Sequence, residues 1–477
     1  MTSDRKIARS GPELAEARPV ADAVWGVGAA DGCLQPQSVV TRTCLPTQPP
    51  ALSMHVVIVT YGTRGDVQPM SAIALELMAR GHSVLLACPR NHVGFVEALG
   101  VRAHGLVGDS EELLTRPEGR EWVATGNARE LVRGLMKLIT ELADELARDI
   151  ERACVGADVI VTGLIPAVIA RANAERNGVP LVVAHTFPTL PTREFTSALV
   201  DLPVEPPRML RPMFTRALLT VVKFLMRRLE RPLRARYQLP PARKEPSLEQ
   251  FDRGRLSLQL WSPAFIPRPA DWRENEVVTG FCALPTHTRT RLGETHALHQ
   301  LEEFLAAGSA PLYFGLGSMP VLEWKPLVER LLRITGDLDL RLVLSGELDK
   351  PDLVRAMLPS SAVLVGKVDH DALFPRCCAV IHHGGAGSTA TGLRAGKPTM
   401  VCAVLGDQPF FGRMVTRLGL GSWARMRGLT EERLRAGIET LLRPDVVERA
   451  RLLGERMRAE RPGAAVAADA LEGVMGT

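Results

Sequence analysis

The first regular pattern along the chain begins at Met54. The run Met54-His55-Val56-Val57-Ile58-Val59-Thr60 is short, β-branched and nearly all apolar, the mark of a strand buried on both faces. A tight turn, Tyr61-Gly62-Thr63-Arg64-Gly65-Asp66, follows it. Met70, Ile73, Ala74, Leu77 and Met78 then recur at i, i+3, i+4, i+7 and i+8, predicting a helix that begins near Pro69. Gly81 suits the position just past its end, and 83–87 reads as a second strand. Strand, helix and strand at this spacing form a βαβ unit and therefore a parallel sheet.

The pattern restarts in the second half. Short apolar strands are predicted at 311–316, 341–345, 362–366, 379–382 and 398–403, separated by helical stretches. One of these helices, 389–395, closes at Gly396 before Pro398. Two successive α/β halves result. The polar stretch 285–296 is the expected linker between a domain at 54–284 and one at 297–477. Residues 1–53 carry no period, and six prolines interrupt every candidate helix, so this segment reads as a disordered leader.

Length and composition narrow the class. A chain of 477 residues has room for about three domains, or two large ones. Hydrophobic residues at 46% and charged residues at 23% are globular usage, which excludes disordered and fibrous classes. The net charge, 58 − 53 = +5, is too mild for a nucleic-acid binder. Eight scattered cysteines lack the spacing of a zinc site or disulfide framework, pointing to reduced thiols. No apolar run spans a bilayer and no secretory pattern opens the chain, so the expected location is cytoplasmic.

Three features carry chemistry. In Ala379-Val380-Ile381-His382-His383-Gly384-Gly385-Ala386-Gly387-Ser388-Thr389, a strand runs through glycines into a helix. Glycines admit a ligand close to the backbone, and a helix N-terminus offers free N–H groups to a diphosphate. A plain turn capped by Ser388 or Thr389 has equal weight on this segment alone. Asp407-Gln408 follows the strand at 398–403, where open α/β sheets bind ligands. A carboxylate beside an amide suits sugar hydroxyls, and an Asp cap before Pro409 is the local alternative. Neither a nicotinamide G-x-G-x-x-G nor a P-loop is present. Asp369 and Asp371 could suggest a divalent metal, but their surroundings read as a strand-to-helix turn, and no metal is assigned.

Residues 208–236 hold nine Lys/Arg and one acid, Glu230, around a helical apolar period. The favoured reading packs this helix, broken at Pro212 and Pro232, on the core. The other rests it peripherally on the inner face of an anionic membrane.

Taken together, GTRGDVQP at 62–69, FGLGSMP at 314–320, the stretch 373–399 and GDQPFFG at 406–412 resemble family 1 glycosyltransferases. The nearest likeness is to the bacterial natural-product and sterol/lipid branch. The resemblance implies an α/β GT-B fold, two Rossmann-like parallel-sheet domains facing across a cleft, with a terminal helix crossing back to the N-terminal domain. It implies an inverting, metal-independent hexosyltransferase without a cofactor. The partners it implies are a nucleotide sugar (UDP-glucose first, a dTDP-deoxysugar second) and a hydroxyl of a lipophilic small molecule. By the same resemblance His383 contacts the diphosphate, and the backbone around Gly385, Gly387, Ser388 and Thr389 holds the phosphates. Gly317 and Ser318 approach from a second loop, and backbone near Val368 reads the base. Asp407 and Gln408 hold the sugar, and Asp66 is the general base, with Arg64 and His185 toward the acceptor. The local alternative for Asp66 is a helix cap. A non-catalytic partner of the same fold, or a sugar-nucleotide epimerase, remains as an alternative function.

Overall fold

Two all-parallel sheets organise the chain, and the short apolar runs that the pattern picks out supply the first two strands of one and all but one strand of the other. The first contains β1 (His55–Val59), β2 (Ser83–Pro89), β3 (Arg102–Leu106), β4 (Val159–Thr162), β5 (Leu181–His185), β6 (Ser257–Gln259) and β7 (Glu276–Val278), in the order β3-β2-β1-β4-β5-β6-β7. The second contains β8 (Leu312–Gly315), β9 (Leu342–Ser345), β10 (Ala362–Val365), β11 (Ala379–His382), β12 (Thr399–Ala403) and β13 (Gly421–Arg425), in the order β10-β9-β8-β11-β12-β13. This computed structural model describes residues 53–109, 112, 119, 128–200, 202, 205–241, 255–292, 298–299, 301–317, 324–346 and 351–475. The expected leader and Ser318 lie outside the described residues.

Strand order reverses between β1 and β4 in one sheet and between β8 and β11 in the other. At such a reversal the connections leave in opposite directions and open a crevice beyond the carboxyl ends of the strands. The two loops richest in chemistry leave β1 and β11, so each lies at a switch point.

The halves are joined by apolar contact as well as by the chain. Phe195 meets Phe410 edge-on at 5.6 Å between ring centres, and Phe265 stacks on Phe411 at 6.4 Å. Glu460 accepts from the Ser262 hydroxyl at 2.6 Å and from the Ala264 N–H at 3.0 Å. The last helix, Gly463–Met475, buries Ala467, Ala468 and Leu471 in the core that holds Ile73 and Leu77. Arg80 ties it to the first helix through Asp469 at 2.7 Å and Glu472 at 3.0 Å.

Three helices differ from the sequence expectation. The first spans Arg64–Ala79 rather than starting near Pro69, because Thr63 is its N-cap and Asp66, at the third position, closes a capping box. The helix expected at 389–395 spans Ala386–Arg394, with Gly385 at the N-cap rather than Ser388 or Thr389. The basic helix is unbroken from Arg211 to Arg236: Pro212 sits in its first turn, where no N–H is needed, and Pro232 lies inside it. In the linker region, Thr286–Arg289 is a short helix whose buried Arg289 pairs with Asp369 at 3.0 Å and with Asp371.

Candidate functional site

On the N-terminal side, the turn after β1 fixes one carboxylate. Asp66 Oδ2 accepts from the Thr63 N–H at 2.9 Å. Gly62 has φ +147°, and a Cβ there would stand 2.1 Å from Asp66 Oδ2, so the carboxylate occupies space that only glycine leaves open. Desolvation pushes the Asp66 carboxyl up to about 6, against the hydrogen bonds from Thr63 that pull it down. Capping and proton acceptance are therefore compatible: one oxygen is held by the backbone, and the acid sits close to neutrality.

Asp66 lines a cavity of about 60 Å³ with Thr60, Tyr61, Met70, Gly163, Leu164, Ile165, Ala184, His185, Thr186, Phe187 and Thr189. His185 is buried at the end of β5, its Nδ1 paired with the Thr189 hydroxyl at 2.9 Å and its Nε2 without a hydrogen-bond partner. Burial lowers its pKa to about 4, so the imidazole is neutral at physiological pH. Arg64 is held sideways: its Nε donates to Gln68 at 3.1 Å and its guanidinium lies over Phe95 at 4.7 Å. A larger cavity, about 480 Å³, is lined by Gly178–Val182, Arg255, Asn275 and the last helix; it shares no residue with this site.

On the C-terminal side, β8 and β11 deliver two loops to the other switch point. The His383 ring lies between them: a Cβ on Gly317 would be 2.9 Å from its Cε1, and one on Gly385 2.5 Å from its Nε2. Both glycines therefore leave room for the imidazole between the two loops. Its Nδ1 is buried without a hydrogen-bond partner, and desolvation lowers its pKa to about 4. His382 is fully buried, and its Nδ1 accepts from the Gly384 N–H at 2.9 Å, which leaves the proton on Nε2. The sequence singled out His383 alone; His382 shapes the turn that carries it.

The helix Ala386–Arg394 presents its N-terminus at this point, with Gly387 exposed and Ser388 partly so. Thr389 is turned away from the crevice. It is fully buried, its hydroxyl donates to the Gly385 carbonyl at 2.9 Å, and its N–H donates to the same oxygen at 3.0 Å. Val368 is buried in the core beside Tyr313 and Phe374. Gln408 is buried too, its Oε1 accepting from the N–H groups of Val404 at 2.7 Å and Leu405 at 3.0 Å, so this oxygen braces the loop after β12.

Asp407 occupies the N-cap position of Gln408–Arg417, yet its side chain makes no capping hydrogen bond. Desolvation pushes its carboxyl up to about 7, and the negative charge of Asp66 adds to the rise. That coupling joins the two halves. The turn after β1 and the turn after β12 put carboxylates close enough to repel one another.

Asp369 and Asp371 have other duties. Asp369 caps the short helix His370–Leu373, accepting from the Asp371 N–H at 3.0 Å, and Asp371 pairs with Arg289 and Arg394. Among the described residues no cluster of three His, Cys, Asp or Glu side chains could hold a metal ion.

Two parallel sheets with glycine turns at both switch points define the GT-B glycosyltransferase architecture. The calicheamicin glycosyltransferase CalG4 superposes with a TM-score of 0.65 at 18% identity, over 89% of this chain and 99% of that one. The glycosyltransferase VinC, solved with dTDP, gives 0.59 at 16% identity, over 89% and 100%. Residues 56–196 match the glycosyltransferase family 28 N-terminal domain, and residues 329–472 match the erythromycin biosynthesis protein CIII-like C-terminal domain. A glycosyltransferase of Mycobacterium tuberculosis, of undescribed specificity, is 33% identical over 427 residues, 88% of this chain and 98% of its own. The sterol 3-beta-glucosyltransferase of Arabidopsis thaliana is 32% identical, over 87% of this chain and 67% of its own. The O-mycaminosyltylonolide 6-deoxyallosyltransferase of Streptomyces fradiae is 32% identical, over 86% and 94%. The chain belongs to this family of GT-B glycosyltransferases.

Proposed function

We propose that this protein transfers a hexosyl group, with inversion and without a metal, from a nucleoside-diphosphate sugar to a hydroxyl of a lipophilic small molecule. The observation that carries the reading is the pair Asp66 and Asp407, one from each half, both with raised pKa values and with the charge of Asp66 adding to the rise at Asp407. Asp66, on the side of the His185-lined cavity, takes the proton of the acceptor hydroxyl as the new glycosidic bond forms. Asp407 accepts hydrogen bonds from hydroxyls of the donor sugar, with Gln408 holding its loop in place. The bond from the anomeric carbon to the diphosphate breaks on the opposite side. The charge that collects there is met by His383, by backbone near Gly317 and Ser318, and by the N–H groups that open the helix at Gly385–Ser388. His185 orients the acceptor hydroxyl, and Arg64 borders its approach. Backbone near Val368 meets the nucleobase.

UDP-glucose is the first donor to test and a dTDP-deoxysugar the second. A relative named as a sterol glucosyltransferase supports the first, and one named as a deoxyallosyltransferase, with the dTDP complex of VinC, supports the second. Sterol and polyketide aglycones are the corresponding acceptors, with carotenoids and glycolipids next. The test is release of nucleoside diphosphate across a donor-by-acceptor panel, with mass spectrometry of the products. Release that depends on an acceptor and yields a hexosylated product supports the reading. A protein that binds donors but gives neither would be a non-catalytic partner, and isomerised donor without transfer would mark an epimerase.

A further inference from the structure

The helix Arg211–Arg236 packs Leu219 and Leu233 inward, yet leaves a second set of large apolar side chains exposed and buries charges in their place. Lys223, Glu230 and Arg234 are turned inward and are at most 7% exposed. Glu230 pairs with Arg171, and Arg234 reaches Glu175 at 2.8 Å. These buried ion pairs fix the rotation of the helix, since turning it would leave charges buried without partners. The outward face is set by the same pins. It holds Met213 at 60% exposure, Phe214 at 43%, Val221 at 56% and Phe224 at 65%, with Met209 at 67% and Leu210 at 42% just before the first turn.

At 100° per residue Met213, Ala217, Val221 and Phe224 fall within one quadrant of the helix, a stripe about 16 Å long. Arg208 and Arg216 border its beginning, and Arg228 and Arg231 continue the same face beyond Phe224; all four are exposed. A contiguous apolar stripe framed by cations is rare on a surface that meets only water. Both parts have one common complement. The acyl boundary of a bilayer takes up the apolar side chains while anionic headgroups meet the arginines.

We infer that the outward face of the helix Arg211–Arg236 is an interfacial membrane-binding surface for anionic lipid. The helix lies along the headgroup plane; no helix of the described residues is long and apolar enough to cross a membrane. The first turn also touches the segment that leaves the His185-lined cavity. The Ser197 N–H donates to the Thr215 hydroxyl at 3.3 Å, and Arg211 donates to the Glu194 carbonyl at 2.6 Å. A lipophilic acceptor leaving the bilayer here would enter beside that cavity. This last point rests on the proposed transfer activity; the lipid surface does not.

Co-sedimentation of the full chain with vesicles, without donor or acceptor, tests the surface. Vesicles of equimolar phosphatidylglycerol and phosphatidylcholine are expected to bind the protein, with loss on raising the salt, while pure phosphatidylcholine binds it at least tenfold more weakly. Arg228→Gln with Arg231→Gln should weaken binding about fivefold per arginine removed. Met213→Glu with Phe224→Glu should abolish it, with an unchanged melting temperature. Arg333→Gln with Arg451→Gln, in the C-terminal half, should change nothing. Equal binding by all variants, or no binding to anionic vesicles, overturns the inference. So does light scattering that shows a dimer which Phe224→Glu splits, because the stripe would then be an interface between copies.

Discussion

Replacing Asp66 by Asn separates the two duties that the turn after β1 gives this residue. The amide oxygen can still accept from the Thr63 N–H, so the capping box and the start of the helix Arg64–Ala79 survive. What the proposed mechanism loses is the site for the acceptor proton. Removing a positioned general base costs about 10²–10⁴-fold in rate, and turnover should fall by at least ~10². Stability should move the other way. A carboxyl raised from 3.8 to about 6 destabilises the fold when ionised: the penalty is absent below pH ~4, grows between the two values and is complete above about 6. Two units set a ceiling of about 3 kcal/mol, and solvent at the open side of the crevice reduces this to ~1 kcal/mol. At pH 8 Asp66→Asn should therefore melt at the wild-type temperature or ~1–3 °C higher. The assay is turnover at saturating donor, with thermal unfolding and calorimetric donor binding on the same preparation. In the wild type, kcat/KM should drop as pH falls through about 6, and the variant should lack that limb. Turnover within a few-fold of wild type would refute the base assignment and move the search to His185.

Other perturbations address the remaining parts of the site. His383→Ala should weaken nucleotide sugar and free nucleoside diphosphate alike, while Asp407→Ala should weaken the sugar nucleotide far more; calorimetry that finds equal losses for both ligands in both variants would reverse the roles. Gly62→Ala drives a Cβ to 2.1 Å from Asp66 Oδ2, so it should cost ~1–3 kcal/mol by thermal unfolding and lower turnover as Asp66→Asn does. Saturating EDTA should leave initial rates intact if, as proposed, the helix N-terminus and His383 meet the leaving charge; an abolished rate restored by magnesium would contradict that.

Much of the fold is legible because buried parallel strands are short apolar runs with glycine punctuation. The runs 379–382 and 398–403 coincide with β11 and β12 to within a residue. Helix starts were harder. Pro69 drew the expected first turn toward itself, whereas Thr63-x-x-Asp66 is the spacing of a capping box and would have placed the start at Arg64. Within the site, the residue types of His383, Asp407 and Asp66 are visible as motifs. The burial that lowers the pKa of one and raises those of the other two is not, because it is supplied by loops far apart in sequence. Thr389 and Gln408 show the same limit: their polar groups are turned to their own backbone, a choice made by loop geometry. The basic helix is the clearest case. Its pattern predicts an apolar face against the core, and Leu219 and Leu233 are buried there, but Glu230 is drawn inward by Arg171, 59 residues earlier in the chain, and Met213, Phe214, Val221 and Phe224 are left exposed.

The most direct test of the central claim is the anomeric configuration of the product. With an α-linked nucleoside-diphosphate hexose and a hydroxyl acceptor that turns over, proton NMR of the purified glycoside should show the β-linkage. That outcome follows from direct displacement, with Asp66 deprotonating the acceptor on the face opposite the diphosphate. A product that keeps the α-configuration would contradict the account.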